Sequence, residues 1–149
     1  MLMDNALVDQ EIGNYDSICN LEAEMLQIEQ INIDTDHEFC NGLYCRTISI
    51  PADAVIVGAQ HKHESFFIVR SGAIVIVGPS GPETYAAGHV GVSPAGIKRA
   101  IYAIDDSVFT TMHANPENET DLTKIWEKLV YDDLTKSIDL EKRKLLEKT

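Results

Sequence analysis

Two histidines stand two residues apart in Gly58-Ala-Gln-His61-Lys-His63-Glu64. In an extended strand, side chains two apart leave the same face. His61 and His63 are therefore expected to aim both imidazoles into one space, as a divalent metal requires. Iron, manganese, nickel or zinc needs at least a third protein ligand. Glu64, next in the chain, and His113, at the end of a predicted strand, are the candidates. A different chemistry sits at Arg99. The turn Pro94-Ala95-Gly96 sends the chain back so that residue 99 faces the same spot as the histidines. A guanidinium has no lone pair for a metal, but its planar fork matches a carboxylate or phosphate. Arg99 reads either as an anion clamp or as the salt-bridge partner of Glu64 or a nearby Asp. Arg99, His61, His63 and Tyr102 form the candidate ligand-binding set, and His61, His63, Glu64 and His113 the candidate metal set.

Other chemistries find no support. There is no Ser-His-Asp order and no Gly-rich phosphate loop. Cys19, Cys40 and Cys45 are odd in number and lack a Cys-x-x-Cys pair, which argues against a disulfide framework and a structural zinc site. His37 and His89 read as incidental. Lys98 faces away from Arg99 and is expected at the surface.

The elements that must position these groups are mostly strands. Leu43–Ile50, Val55–Val57, Phe66–Arg70, Ala73–Val77, Thr84–Ala86, His89–Ser93, Arg99–Ile104 and Ser107–His113 are short β-prone runs broken by Gly and Pro. That spacing indicates a sandwich or barrel. Before them, Ile18, Leu21, Met25 and Ile28 predict a short helix over Ser17–Gln27, capped by Asp16 or Ser17, after a loose arm. Residues 32–42 read as a loop. After Asn115-Pro116, Leu122, Ile125, Trp126, Leu129 and Val130 predict a helix capped by Thr120, and a more charged second helix follows through Leu134–Leu146.

The chain has 149 residues and a net charge of −12. Phosphate backbones and anionic membranes repel such a surface, so neither nucleic acid nor membrane is an expected partner. The acidic N-terminus does not read as a secretory signal, and the cytoplasm is the expected location.

Two blocks of the sequence resemble the cupin superfamily. The first runs from Gly58 through His61-Lys-His63 to Gly72, and the second is Gly88-His-Val-Gly-Val-Ser-Pro94-Ala-Gly96-Ile-Lys-Arg99. The resemblance implies an all-β double-stranded β-helix, or jelly-roll barrel, over residues 43–115. An N-terminal arm and short helix (1–42) and a C-terminal helical extension (116–149) flank it. It also implies two departures: Ser65 stands where the family has its metal-binding acid, and Arg99 where it has its third histidine. Gly42-Leu-Tyr-Cys-Arg-Thr-Ile-Ser-Ile-Pro51, Pro94-Ala-Gly-Ile-Lys-Arg-Ala100 and Asp106-Ser-Val-Phe-Thr-Thr-Met-His113 are similar to small cupin-like proteins encoded by bacteriophages. The expected function is a non-catalytic oligomeric binding or assembly module with a small-anion pocket. It would work as a homodimer or larger homo-oligomer, in the host cytoplasm or the virion, with other virion or host proteins as further partners. The alternative is a metal-dependent oxygenase or isomerase using His61 and His63.

Overall fold

The computed structural model describes residues 11–78 and 81–131. Side-chain alternation builds its strands. In β2 (Gly42–Ile50), Tyr44, Ile48 and Ile50 are buried while Leu43 and Ser49 are exposed. In β4 (Ser65–Ser71), Ser65, Phe67 and Val69 turn inward and Phe66 and Arg70 outward. In β5 (Ala73–Gly78), Ile74 and Ile76 turn inward, and in β9 (Ser107–Asn115), Phe109 and His113 do so. This period-2 pattern is that of antiparallel sheets packed on one face.

Two antiparallel sheets result. One has the order β1-β2-β9-β4-β7, with β1 at Asp34–Cys40 and β7 at Val90–Ser93. The other has the order β3-β8-β5-β6, with β3 at Val55–Val57, β6 at Gly81–Ala86 and β8 at Ala100–Ala103. Ile48, Ile50, Phe67, Val69, Ile74, Ile76, Ile101 and Phe109 fill the space between them. Burying each such side chain contributes about 1.5–3 kcal/mol. Gly72 turns the chain from β4 into β5 at φ +79°, and a Cβ there would lie 2.3 Å from Ser107 Oγ.

Among the described residues, two helices pack against the sheets. α1 (Glu11–Met25) buries Ile18 and places Glu22 against the barrel. Glu22 Oε2 lies 3.2 Å from Lys98 Nζ, which also donates to the Gly58 carbonyl at 3.0 Å. Lys98 is only 4% exposed, so it is a buried anchor rather than the expected surface residue. α2 (Leu122–Leu129) is capped by Asp121, whose side chain accepts from the amides of Thr123 and Lys124. Ile125, Leu129 and Val130 pack against Tyr44. The helix end is then tied to the His61 segment, by Lys62 N to Leu129 O at 2.8 Å and by the antiparallel bridge of His61 with Val130.

The sheet begins at Asp34, in β1, and not at Leu43. β1 pairs with β2 along its whole length, so residues 34–40 are strand where a loop was expected. It is an edge strand whose residues are largely exposed, so it carries no apolar alternation to betray it. α1 starts at Glu11 rather than Ser17, and α2 is capped by Asp121 rather than Thr120. The helix expected through Leu134–Leu146 and the first ten residues lie outside the described residues. The three cysteines are free.

Candidate functional site

The inward face is apolar at one end of the barrel and polar at the other. On β2 the inward series reads Tyr44, Arg46, Ile48, and on β9 it reads Phe109, Thr111, His113. Register places Arg46 opposite Thr111 and Tyr44 opposite His113. Thr111 faces Phe67 on β4, and Ser65 faces Ser93 on β7. The loop after β7 carries Arg99, whose carbonyl accepts from Gly58 N at 3.0 Å and so extends the β3–β8 pairing. These groups surround a cavity of about 80 Å³, walled on one side by Trp126 of α2. Such a space holds several waters or a small organic anion.

Two guanidiniums line it. Arg99 lies over the Phe67 ring, with Cζ 5.3 Å from the centroid, and its Nη2 donates to Ser93 Oγ. Arg46 lies over Trp126 at 5.9 Å. Burial pulls both below the ordinary arginine pKa, but an arginine stays charged in a protein. Among the described residues no Asp or Glu lines the cavity, and neither arginine forms an ion pair.

Two histidines complete the lining. The rings of His61 and His113 stack at 5.2 Å between centroids and 13° between planes. Tyr44 continues the stack beyond His113, and Trp126 meets His61 edge-on. Burial, then the charges of Arg99 and Arg46, hold His61 down at about 4. Burial, then His61 and Arg46, do the same to His113. Both rings are therefore neutral near pH 7. His113 Nε2 shares a hydrogen bond with Thr111 Oγ1 at 2.9 Å, and His61 Nδ1 is buried with no hydrogen-bond partner among the described residues.

His61, Arg99 and His113 thus meet in one cavity, and Ser65 lines it at the place where the resemblance puts an acid. His63 and Glu64 do not join them. The chain bends at Lys62 and His63 instead of continuing as a strand, so alternation ends at His61 and both side chains are exposed. Tyr102 also lies elsewhere: its neighbour Ile101 lines the cavity, and Tyr102 turns the other way to donate to Asp53 at 2.6 Å. Arg99 pairs with neither Glu64 nor an Asp. His37 is not idle, since its Nδ1 lies 2.6 Å from Tyr44 Oη. Arg46, Thr111 and Trp126 also line the cavity, and no sequence motif marks them. An arginine midway along the inward series of β2 was the available signal for Arg46.

A divalent metal does not fit this lining. Of the four candidate ligands only His61 and His113 converge, and no group of three or more His, Cys, Asp or Glu side chains is poised for a metal among the described residues. Two guanidiniums share the same space.

No family model and no curated protein matches the sequence. Solved structures do resemble the fold. The structure of KdgF from Halomonas sp. is 15% identical over 62% of this chain and 86% of that chain, with a TM-score of 0.51. A cupin superfamily protein from Desulfitobacterium hafniense is 11% identical over 62% of this chain and 85% of that one, with a TM-score of 0.50. At these identities the likeness shows the fold: this chain folds as a cupin β-sandwich. No helix among the described residues is long and apolar enough to cross a membrane.

Proposed function

We propose that the chain is a non-catalytic binding module that holds a small anion inside its barrel. One observation carries this reading: Arg46 and Arg99 line a cavity of about 80 Å³ without a carboxylate in its described lining. Both arginines are half-buried; a charge withdrawn from water is costly to the extent that it is left unpaired, and an anionic ligand is the partner this lining lacks. Guanidinium forks recognise carboxylates and phosphates in a bidentate way. Phe67 and Ser93 hold Arg99, and Trp126 supports Arg46. The hydroxyls of Ser65 and Thr111 offer further hydrogen bonds. General acid–base work at neutral pH needs a group titrating near 7. Histidines held at about 4 favour binding over that role.

The same reading includes a homodimer or larger homo-oligomer. Cys45, Met112, Phe66 and Val92 form one cross-strand row on the outer face of the five-stranded sheet. Phe66 and Val92 are each more than half exposed. Two chains of net charge −12 repel least where an uncharged surface meets its copy. The likeness to phage-encoded cupin-like proteins extends the proposal to the host cytoplasm or the virion as the place of action.

Calorimetric titration with acetate and sulfate tests the pocket, and light scattering tests the assembly. Saturable one-to-one binding that weakens in Arg99→Ala, with Arg46 left as the one remaining guanidinium, is the expected result. Binding unaffected by Arg99→Ala would overturn the assignment of the site.

A further inference from the structure

The cavity holds more cation than one simple anion neutralises. Arg46 comes from β2 in the five-stranded sheet, whereas Arg99 sits where the β3–β8 pairing of the other sheet begins. The two guanidiniums therefore enter the same space from opposite sheets. Each rests on an aromatic ring, Trp126 for Arg46 and Phe67 for Arg99. No carboxylate in the described lining divides the two charges or cancels either one. Lys98, a buried cation beside Arg99 in the chain, is already matched by Glu22. His61 and His113 line the same cavity and add no charge at neutral pH.

We propose that the ligand is a small dianion, with one negative charge for each guanidinium. This rests on the anion-binding reading above and narrows its chemical class. A monoanion would satisfy one fork and leave the other partly desolvated and unpaired, which is the costlier arrangement. A dianion of a few heavy atoms satisfies both and fits a cavity of about 80 Å³. A short dicarboxylate and a doubly charged tetrahedral oxyanion share this chemistry.

The test uses the full chain at fixed ionic strength and pH 7, titrated with acetate, malonate and sulfate. Trp126 is the only tryptophan and stands in the cavity wall, so its fluorescence reports occupancy directly. Malonate or sulfate is expected to bind roughly 10- to 100-fold tighter than acetate, the worth of a second charge-assisted pair. Malonate ahead of sulfate identifies a dicarboxylate, the reverse order an oxyanion, and either supports the proposal. Arg46→Gln and Arg99→Gln, each checked for folding by urea denaturation, should bring the dianion close to the affinity of acetate. Acetate binding as tightly as both dianions overturns the two-charge proposal and leaves the anion pocket standing. So does a dianion preference that survives in both variants. No saturable binding of any of the three overturns the pocket as well.

Discussion

His61 and His113 stack face to face at 5.2 Å although they come from distant parts of the chain. Both are held at about 4, below the ordinary value of 6.5. Between those values the unfolded chain binds more protons than the folded one, so stability rises with pH. Their contribution is complete above about pH 6.5, is lost as pH falls toward 4, and adds no further slope below that. Urea unfolding at pH 7 and pH 5 should show a loss of roughly 4 kcal/mol from the pair, about 2 kcal/mol for each histidine. His113→Phe should remove about half of this loss. An unchanged pH 7-to-5 difference in the variant would contradict the assignment.

A second prediction concerns the tie between α1 and the barrel. Lys98 is buried, and its partners are Glu22 Oε2 and the Gly58 carbonyl. Glu22→Gln leaves the ammonium buried without its counter-charge, and breaking a buried pair from one side costs roughly 3–5 kcal/mol. Glu22→Leu combined with Lys98→Met removes both charges together and should recover most of that stability. Denaturation midpoints of the single and double variants check this. A double variant no more stable than Glu22→Gln would mean that the pair is not the source of the loss.

The strands were readable from the sequence because their inward faces are apolar and their ends carry Gly or Pro. β3 falls at Val55–Val57 as expected. β1 was not readable, since an exposed edge strand has no buried face to impose a pattern. The site was half legible. His61 and Arg99 sit beside well-marked turns, and both line the cavity. His63 failed because the rule of alternation needs a continuing strand, and the chain bends immediately after His61. Arg46 lies in no motif at all. It becomes a site residue only through the register that sets β2 beside β9. Lys98 was misplaced for a related reason, because its partner Glu22 is far away in sequence and comes close only when α1 packs on the barrel.

Gly91 links packing to the site. It pairs with Phe67 across β4 and β7, and a Cβ on it would lie 2.4 Å from the Phe67 ring. That ring supports the Arg99 guanidinium. Gly91→Ala should therefore cost about 1–3 kcal/mol through overpacking. It should also weaken anion binding, although residue 91 does not line the cavity. Urea unfolding and the Trp126 fluorescence titration measure the two effects. A stability loss with unchanged anion affinity would show that Phe67 does not position Arg99.

The final prediction concerns metal. A divalent ion held by His61 and His113 shares the cavity with Arg46 and Arg99. At about 5 Å from one guanidinium and an effective dielectric of about 20, it is repelled by roughly 7 kcal/mol. Two neutral imidazoles do not offset that repulsion. Zinc or nickel added to the native chain is therefore expected to bind more weakly than micromolar, and a chelator should leave the thermal midpoint unchanged. Arg99→His removes one of the two cations and supplies a third imidazole from the same wall. Zinc affinity should then rise at least tenfold, roughly 1.4 kcal/mol, and fall again when His61→Ala or His113→Ala is added. Equilibrium dialysis across this series measures each step. Submicromolar zinc binding by the native chain that depends on His61 would contradict the charge argument, and the anion reading would fall with it.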